Sequence, residues 1–414
     1  MKILEQALNK INPMHKKQRD FFMILIQGLI GIAGKRTFRN LARYMQMTEH
    51  TFMRQMEKFF DFVGLNTEML KASKNDDEVL IAAHDASFIP KSGKSTYGLD
   101  FHWNGCASKA EKGLELDVIA AIKINDYKKE GYTISAQQTP ANPTPKTERK
   151  NKKKKVGEPT KIDFYLSHLQ KVTPKIIELG IKYLTVDAFY AKVKYVDGAV
   201  ALGLHVISKM RRDARLRRPY NGPQKARGRK KKVDNSGVSF EDFKDSTVTK
   251  ISNEQIELRS CVAYSVSLKR LVKVVLVRKF NDANGFGEAF LFSTDTEINV
   301  LQIYQYYVAR FQIEFIFRDA KGFTGLTDCQ SRDARRLHYH FNASLTALNV
   351  AKLQDQEQQK KQQVQHAFSM TNWARKYHVE IVINRIIVMF GFDQTLIKLH
   401  HDYERILAFG NIRH

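Results

Sequence analysis

Apolar runs rich in β-branched residues recur between helical segments in this chain, and that alternation restricts the fold more than any other feature. The first run, in EVLIAAHDASFIP, starts at Glu78 and reads as a strand that ends at Asp85, and LELDVIAAIKI follows it. A helical stretch over Phe164–Leu179 meets Gly180, a residue that ends helices because it tolerates positive φ. IKYLTVDAFY then reads as a strand ending at Asp187, and GLHVISKM as another. Strand, helix, strand, helix, strand predicts an α/β core.

The flanks read differently. Residues 1–75 lack strand-like alternation and predict a helical N-terminal domain. Within it, FFMILIQGLIGIA (Phe21–Ala33) follows Lys16, Lys17 and Arg19 as the apolar part of a signal peptide would. It is shorter than the ~20 residues a membrane span needs, and Lys35 and Arg36 stand where small residues should precede a cleavage site. A buried helix is the expectation. Thr37–Phe60 is compatible with a DNA-binding helix-turn-helix turning at Met45–Thr48, although that turn has no glycine. Residues 76–350 are expected to form the α/β core domain, interrupted by a β-rich insertion at about 206–295 that includes IELRSCVAYSV and RLVKVVLVRKF and closes at Gly285 and Gly287. Residues 351–414, beginning near the glutamine-rich Gln354–Gln365, read as helical and suited to dimerisation.

Charge narrows the function. The chain carries 68 Lys and Arg against 43 Asp and Glu, a formal balance of +25, which calls for a partner rich in phosphates. With 43% hydrophobic and 11% aromatic residues it can still bury a full core, which excludes a disordered basic tail. Two segments concentrate the charge: Pro140–Pro159, expected as a mobile loop with Lys152–Lys155, and Lys209–Lys232, where Lys209, Arg211, Arg212 and nine further cations face Asp213 alone. Both are expected to touch polyphosphate. Cys106, Cys261 and Cys329 form no Cys-x-x-Cys pair, which suits a reducing cytoplasm.

The most informative segment is YYVARFQIEFIFRDAK, residues 306–321. At about 100° per residue, Tyr307, Arg310, Glu314, Arg318 and Lys321 fall within about 80° of one another. A lone carboxylate among cations on a stripe that begins with Tyr suits a group that holds a metal while its neighbours hold phosphates. Metal-dependent phosphoryl transfer needs several hard oxygen ligands. Asp85 and Asp187 supply two more, because an ionised Asp among apolar residues is costly unless paired or coordinated, and strand ends are where α/β proteins build sites.

Together, Asp85, Asp187 and Glu314 with the signature Tyr307-x2-Arg310-x3-Glu314-x6-Lys321 resemble the DDE transposases of bacterial insertion sequences, in the subgroup marked by a Tyr-Arg-Glu-Lys motif. The resemblance covers roughly residues 78–350. It implies a ribonuclease H-like core whose three carboxylates hold two Mg²⁺ ions, with Mn²⁺ as a substitute. It also implies that water cleaves a phosphodiester at an element end and that the freed 3′-hydroxyl attacks in strand transfer. The expected partners are double-stranded DNA, as element ends and target, and a second copy of the chain in a synaptic complex; no membrane is expected. By the same resemblance, Tyr307 and Arg310 would bind phosphates beside a base turned out of the stack, and Lys321 a phosphate near the cleaved end. The chain departs from relatives that stack a tryptophan of the insertion on that base, since its two tryptophans are Trp103 and Trp373. Either an aromatic such as Tyr264, Phe280 or Phe286 substitutes, or base capture is weaker here.

Other residues rank lower. His84 beside Asp85 reads as structural, because hard oxygen sites rarely recruit imidazole. His338 and His340 read as surface or packing residues, and Lys91-Ser92-Gly93-Lys94 lacks phosphate-loop spacing and reads as a turn. Two rival functions share the residues: a catalytically inactive DNA-binding repressor derived from a transposase, and a ribonuclease H-like nuclease or resolvase.

Overall fold

The computed structural model describes residues 1–11, 14–75, 78–125, 128–142, 159–243, 245–251, 254–280 and 286–411. Five helices come first: α1 (Lys2–Lys10), α2 (Lys16–Gly31), α3 (Phe38–Met45), α4 (Glu49–Gln55) and α5 (Phe62–Ser73). Thr37, Thr48 and Asp61 cap α3, α4 and α5 by accepting from backbone N–H groups of their first turns. Between α3 and α4 the missing turn glycine is replaced by Gln46, which takes the left-handed conformation at φ 53°. The apolar Phe21–Ala33 run lies in α2, with Phe22, Leu25, Ile26 and Leu29 fully buried. No described helix is long and apolar enough to cross a membrane.

The central sheet begins with β1 (Val79–Pro90), β2 (Asp100–Asn104), β3 (Lys109–Ile124) and β4 (Lys129–Gln138). Helix α6 (Lys161–Glu178) opens with a capping box between Thr160 and Asp163 and closes before Gly180 at φ 76°. Next come β5 (Tyr183–Val186), α7 (Val193–Ala201), β6 (His205–Met210), β7 (Leu216–Pro219), β8 (Val233–Gly237), β9 (Asp245–Ile251), β10 (Glu254–Ser265), β11 (Arg270–Phe280) and β12 (Phe286–Ser293). Among the described residues these twelve strands form one mixed sheet, with β2-β3-β1-β5-β6-β12-β11-β10-β7-β8 in order, β4 on β3 and β9 on β10. β1, β5 and β6 are mutually parallel, and the rest pair antiparallel. The β-rich segment therefore extends the sheet through the β6–β12 pair.

Helices α8 (Val300–Ala309), α9 (Gln312–Phe323), α10 (Ala334–Gln362), α11 (Met370–Phe390), α12 (Gln394–Leu399) and α13 (Tyr403–Leu407) complete the chain. Helix α10 is buried along most of its length and ties three layers together. Its Asn342 and Asn349 hydrogen-bond β4 backbone at Ala136 and Thr133, and Asn349 also donates to Asn66 of α5. Helix α2 packs on α10 and α11. At Gly31 a Cβ would lie 2.7 Å from Cβ of Tyr377, so glycine sets how closely α2 and α11 approach. The N-terminal helices thus share one continuous core with the sheet and α10.

The expected single helix over residues 306–321 is interrupted. Arg310 and Phe311 keep right-handed backbone angles between α8 and α9, but Ile313 and Glu314 donate their N–H groups to Arg310 and Phe311, a tighter three-residue turn. The break falls where the buried Arg310 turns toward two carboxylates. The basic stretch with Lys152–Lys155, and Gly285, lie outside the described residues.

Candidate active site

Asp85 sits where three strands part. β1 pairs with β3 along its whole length but with β5 only over Ala82–His84, opposite Leu184–Val186. Asp187 follows Val186 directly, so the two aspartates stand just past the end of the parallel pairing, in neighbouring register. Each accepts a hydrogen bond from the next backbone N–H, Asp85 from Ala86 at 2.8 Å and Asp187 from Ala188 at 2.7 Å. Those bonds leave other oxygen lone pairs of both carboxylates open.

The α8–α9 break brings the third carboxylate. Arg310, itself buried, donates one guanidinium nitrogen to Asp85 at 3.0 Å and another to Glu314 at 2.9 Å, so a single cation bridges two strand- and helix-borne acids. Burial raises the Asp85 carboxyl to about 6; Arg310 and the Ala86 N–H oppose that, and the charges of Asp187 and Glu314 add to it. Burial disfavours the Arg310 charge, yet Asp85, Tyr307, Glu314 and Asp187 together hold its guanidinium above its ordinary range. Burial and the nearby Asp187 and Glu314 keep the Tyr307 hydroxyl protonated, against the pull of Arg310. Lys321 donates to Ser87 Oγ at 2.9 Å, and burial pulls its ammonium down.

Asp85, Asp187, Glu314, Tyr307, Arg310 and Lys321 therefore converge. The remaining basic residues do not join them. Arg318 pairs with Asp319 at 2.9 Å on the groove side of α9. Lys209 stands exposed at the end of β6, Arg211 is held by Asp213, and Arg212 donates to the Glu288 carbonyl. Trp103 is 62% exposed on the β2–β3 hairpin, and Trp373 is buried, donating to Asp355. Tyr264 is half-buried on β10 and Phe280 exposed at the end of β11, while the Phe286 side chain lies outside the described residues.

Behind the acids lies a cluster that sequence reasoning misses. His84 donates or accepts at Tyr195 (2.6 Å) and Asp117 (2.8 Å); His168 does so at Asp117 (2.7 Å) and Ser135 (2.8 Å). All are buried. Burial acts to raise the Asp117 carboxyl, but the two imidazoles hold it below its ordinary range. By residue type this trio could ligate a metal, yet every ring nitrogen and both carboxylate oxygens already have partners. It joins β1, β3, β4, α6 and α7 directly under Asp85. The available signal is Asp117 itself, an acid in the middle of an apolar strand.

The three carboxylates, Asp85 among them and raised by burial, are hard oxygen donors that fit a divalent cation. Arg310 and Lys321 supply the site's positive charge, and among the described residues the Arg310 Nε is buried without a hydrogen-bond partner. A family model described as DDE superfamily endonuclease matches residues 4–250, which includes Asp85 and Asp187 and ends before Glu314. No curated protein matches the chain.

Proposed function

The chain belongs to the DDE superfamily endonucleases, and on that footing we propose that it is a DNA transposase that cleaves the inverted ends of an insertion sequence and joins them to target DNA. The observation that carries this reading is the convergence of Asp85, Asp187 and Glu314 around Arg310, from three separate elements of what we read as a ribonuclease H-like core.

In this reading Asp85, Asp187 and Glu314 hold two divalent cations, Mg²⁺ with Mn²⁺ as substitute. Bound there, the ions would activate the attacking oxygen and stabilise the leaving oxygen of a phosphodiester. The chain's own groups do the rest. Arg310 and Lys321 neutralise phosphate charge on either side of the acids. The protonated Tyr307 hydroxyl donates to a phosphate oxygen. Lys209, Arg211 and Arg212, with the N-terminal helices, add sequence-independent grip. The surface of α11–α13 exposes Val388, Met389, Phe390, Phe392, Leu396 and Leu399, an apolar face that suits a second copy of the chain in a synaptic homodimer.

A repressor without catalysis would have no use for an intact acidic trio, and a resolvase would cut without joining. Purified protein, Mg²⁺ and labelled DNA carrying the repeats that flank its gene test the reading. Cleavage and joined products are expected from the parent, and cleavage by Asp85→Asn, Asp187→Asn and Glu314→Gln at the parent's rate would overturn it.

A further inference from the structure

A groove of about 870 Å³ lies beside α9, lined by that helix, by the second half of α10 and by the β3–β4 connection. Among its described lining residues Lys128, Lys129, Arg318, Lys352 and Lys360 outnumber Glu78, Glu130 and Asp319. Arg318 is paired with Asp319 and Lys128 with Glu130, while Glu78 is held by Lys123. Glu130 also accepts from Tyr132 and Gln356. Among the described residues Lys129, Lys352 and Lys360 are left with no carboxylate in ion-pair contact.

Lys352 is the telling one. It is 3% exposed, yet its ammonium makes one hydrogen bond among the described residues, to the Gly131 carbonyl at 2.9 Å. An ammonium offers three donors, and burying one with donors unused is costly unless an anion completes it. Glu130 and Asp319 act on it only at a distance, and burial pulls its proton affinity down. Lys129 is likewise desolvated, and among the described residues Lys360 reaches only the Asn75 side chain, at 2.7 Å. Gln312 and Phe315 supply an amide and a ring on the α9 wall.

The groove shares helix α9 with the candidate site. Arg318 on its wall is four residues, about 6 Å along the helix axis, from Glu314. We propose that Lys129, Lys352 and Lys360 form a phosphate-binding groove that holds the sugar–phosphate backbone of the same DNA strand, a few nucleotides from the bond presented to the three carboxylates. The assignment rests on the nuclease reading but adds a second anchoring point to it. A strand held at both places cannot slide past the acids.

The test measures binding of the full chain to a 30-base-pair duplex across a salt series, which requires no cleavage. Each lost phosphate contact lowers the slope of log affinity against log salt by about 0.9. Lys129→Gln/Lys360→Gln should lower it by about 2 and weaken low-salt binding about tenfold, whereas Lys171→Gln/Lys182→Gln, outside the groove, should change it less. Lys352→Met probes the floor, and the Lys129→Gln/Lys360→Gln double variant decides the outcome should it fail to fold. An unchanged slope in Lys129→Gln/Lys360→Gln overturns the proposal. So does micromolar binding of deoxyadenosine monophosphate that duplex DNA does not displace, because the groove would then serve a free nucleotide. Failure of the parent to cleave element ends, with the slopes as expected, would count against the transposase reading and leave the groove standing.

Discussion

The Arg310 guanidinium and the Asp85 carboxylate, 225 residues apart in the chain, meet at 3.0 Å, and the same guanidinium holds Glu314. One cation thus fixes the spacing of two acids and occupies the charge balance a metal would enter. Arg310→Ala should leave Asp85 and Glu314 repelling one another. Cleavage should fall about 100-fold, the order of a lost positioned electrostatic contact, while duplex binding at low salt falls only several-fold. Single-turnover kinetics beside equilibrium binding separate the two.

Asp85 makes the metal-free protein pH-sensitive. Its carboxyl is raised to about 6 by burial, so the folded state favours the protonated form and ionisation works against stability. That penalty is absent below the unfolded value near 4, grows as pH rises to about 6 and is constant above it. It amounts to about 3 kcal/mol at most. Urea titrations without metal from pH 4 to 8 should show stability declining over that window, and Asp85→Asn should flatten it. Metal affinity should run the other way, weakening about tenfold per pH unit below 6, which calorimetry with Mn²⁺ can follow.

The His84–Asp117–His168 cluster carries the strand beneath Asp85. Asp117→Asn leaves two buried imidazoles without their shared anion, and a loss of about 3–5 kcal/mol is expected. Chemical denaturation would measure it; a change under 1 kcal/mol would mean the cluster is not a buttress.

Gly31 governs the docking of α11. A Cβ at this position would meet both side-chain and backbone atoms of Tyr377, and backbone cannot swing away. Gly31→Ala should cost about 1–3 kcal/mol and speed amide exchange in residues 370–390 before it does so in β1 or β3.

The exposed apolar face of α11–α13 is the expected dimer contact. Val388→Asp/Phe390→Asp should give a monomer by sedimentation velocity with the melting temperature of the core unchanged. A parent that already sediments as a monomer with and without DNA would remove the dimer from the proposed function.

How much of this the sequence discloses follows from which signals are local. Asp187 is legible because an acid at the end of an apolar run stands out within ten residues, whereas Asp85, expected at a strand end, lies within β1, which continues to Pro90. Tyr307, Arg310, Glu314 and Lys321 are legible because helical periodicity places them on one side. Asp117 carries the same signal as Asp85, and only tertiary pairing with His84 and His168 separates an acid used for support from one facing the site. The break at Arg310 and Phe311 is hidden, since both keep helical backbone angles and neither is a helix breaker. Arg318 shares the stripe by angle, yet a near neighbour, Asp319, holds it toward the groove. The groove itself joins residues near 75, 128, 318 and 360, a combination periodicity cannot reveal.

The parallel pair β1–β5 and the α8–α9 break place the last carboxylate 229 residues after the first. At synthesis rates of roughly 5–20 residues per second, some 10–45 s separate the emergence of Asp85 from that of Glu314. A chain that stops before Glu314 lacks the third acid and also α10, on which the sheet and the N-terminal helices pack. The third acid and the helix that seals the core therefore arrive together, so the site is not completed ahead of the fold that holds it.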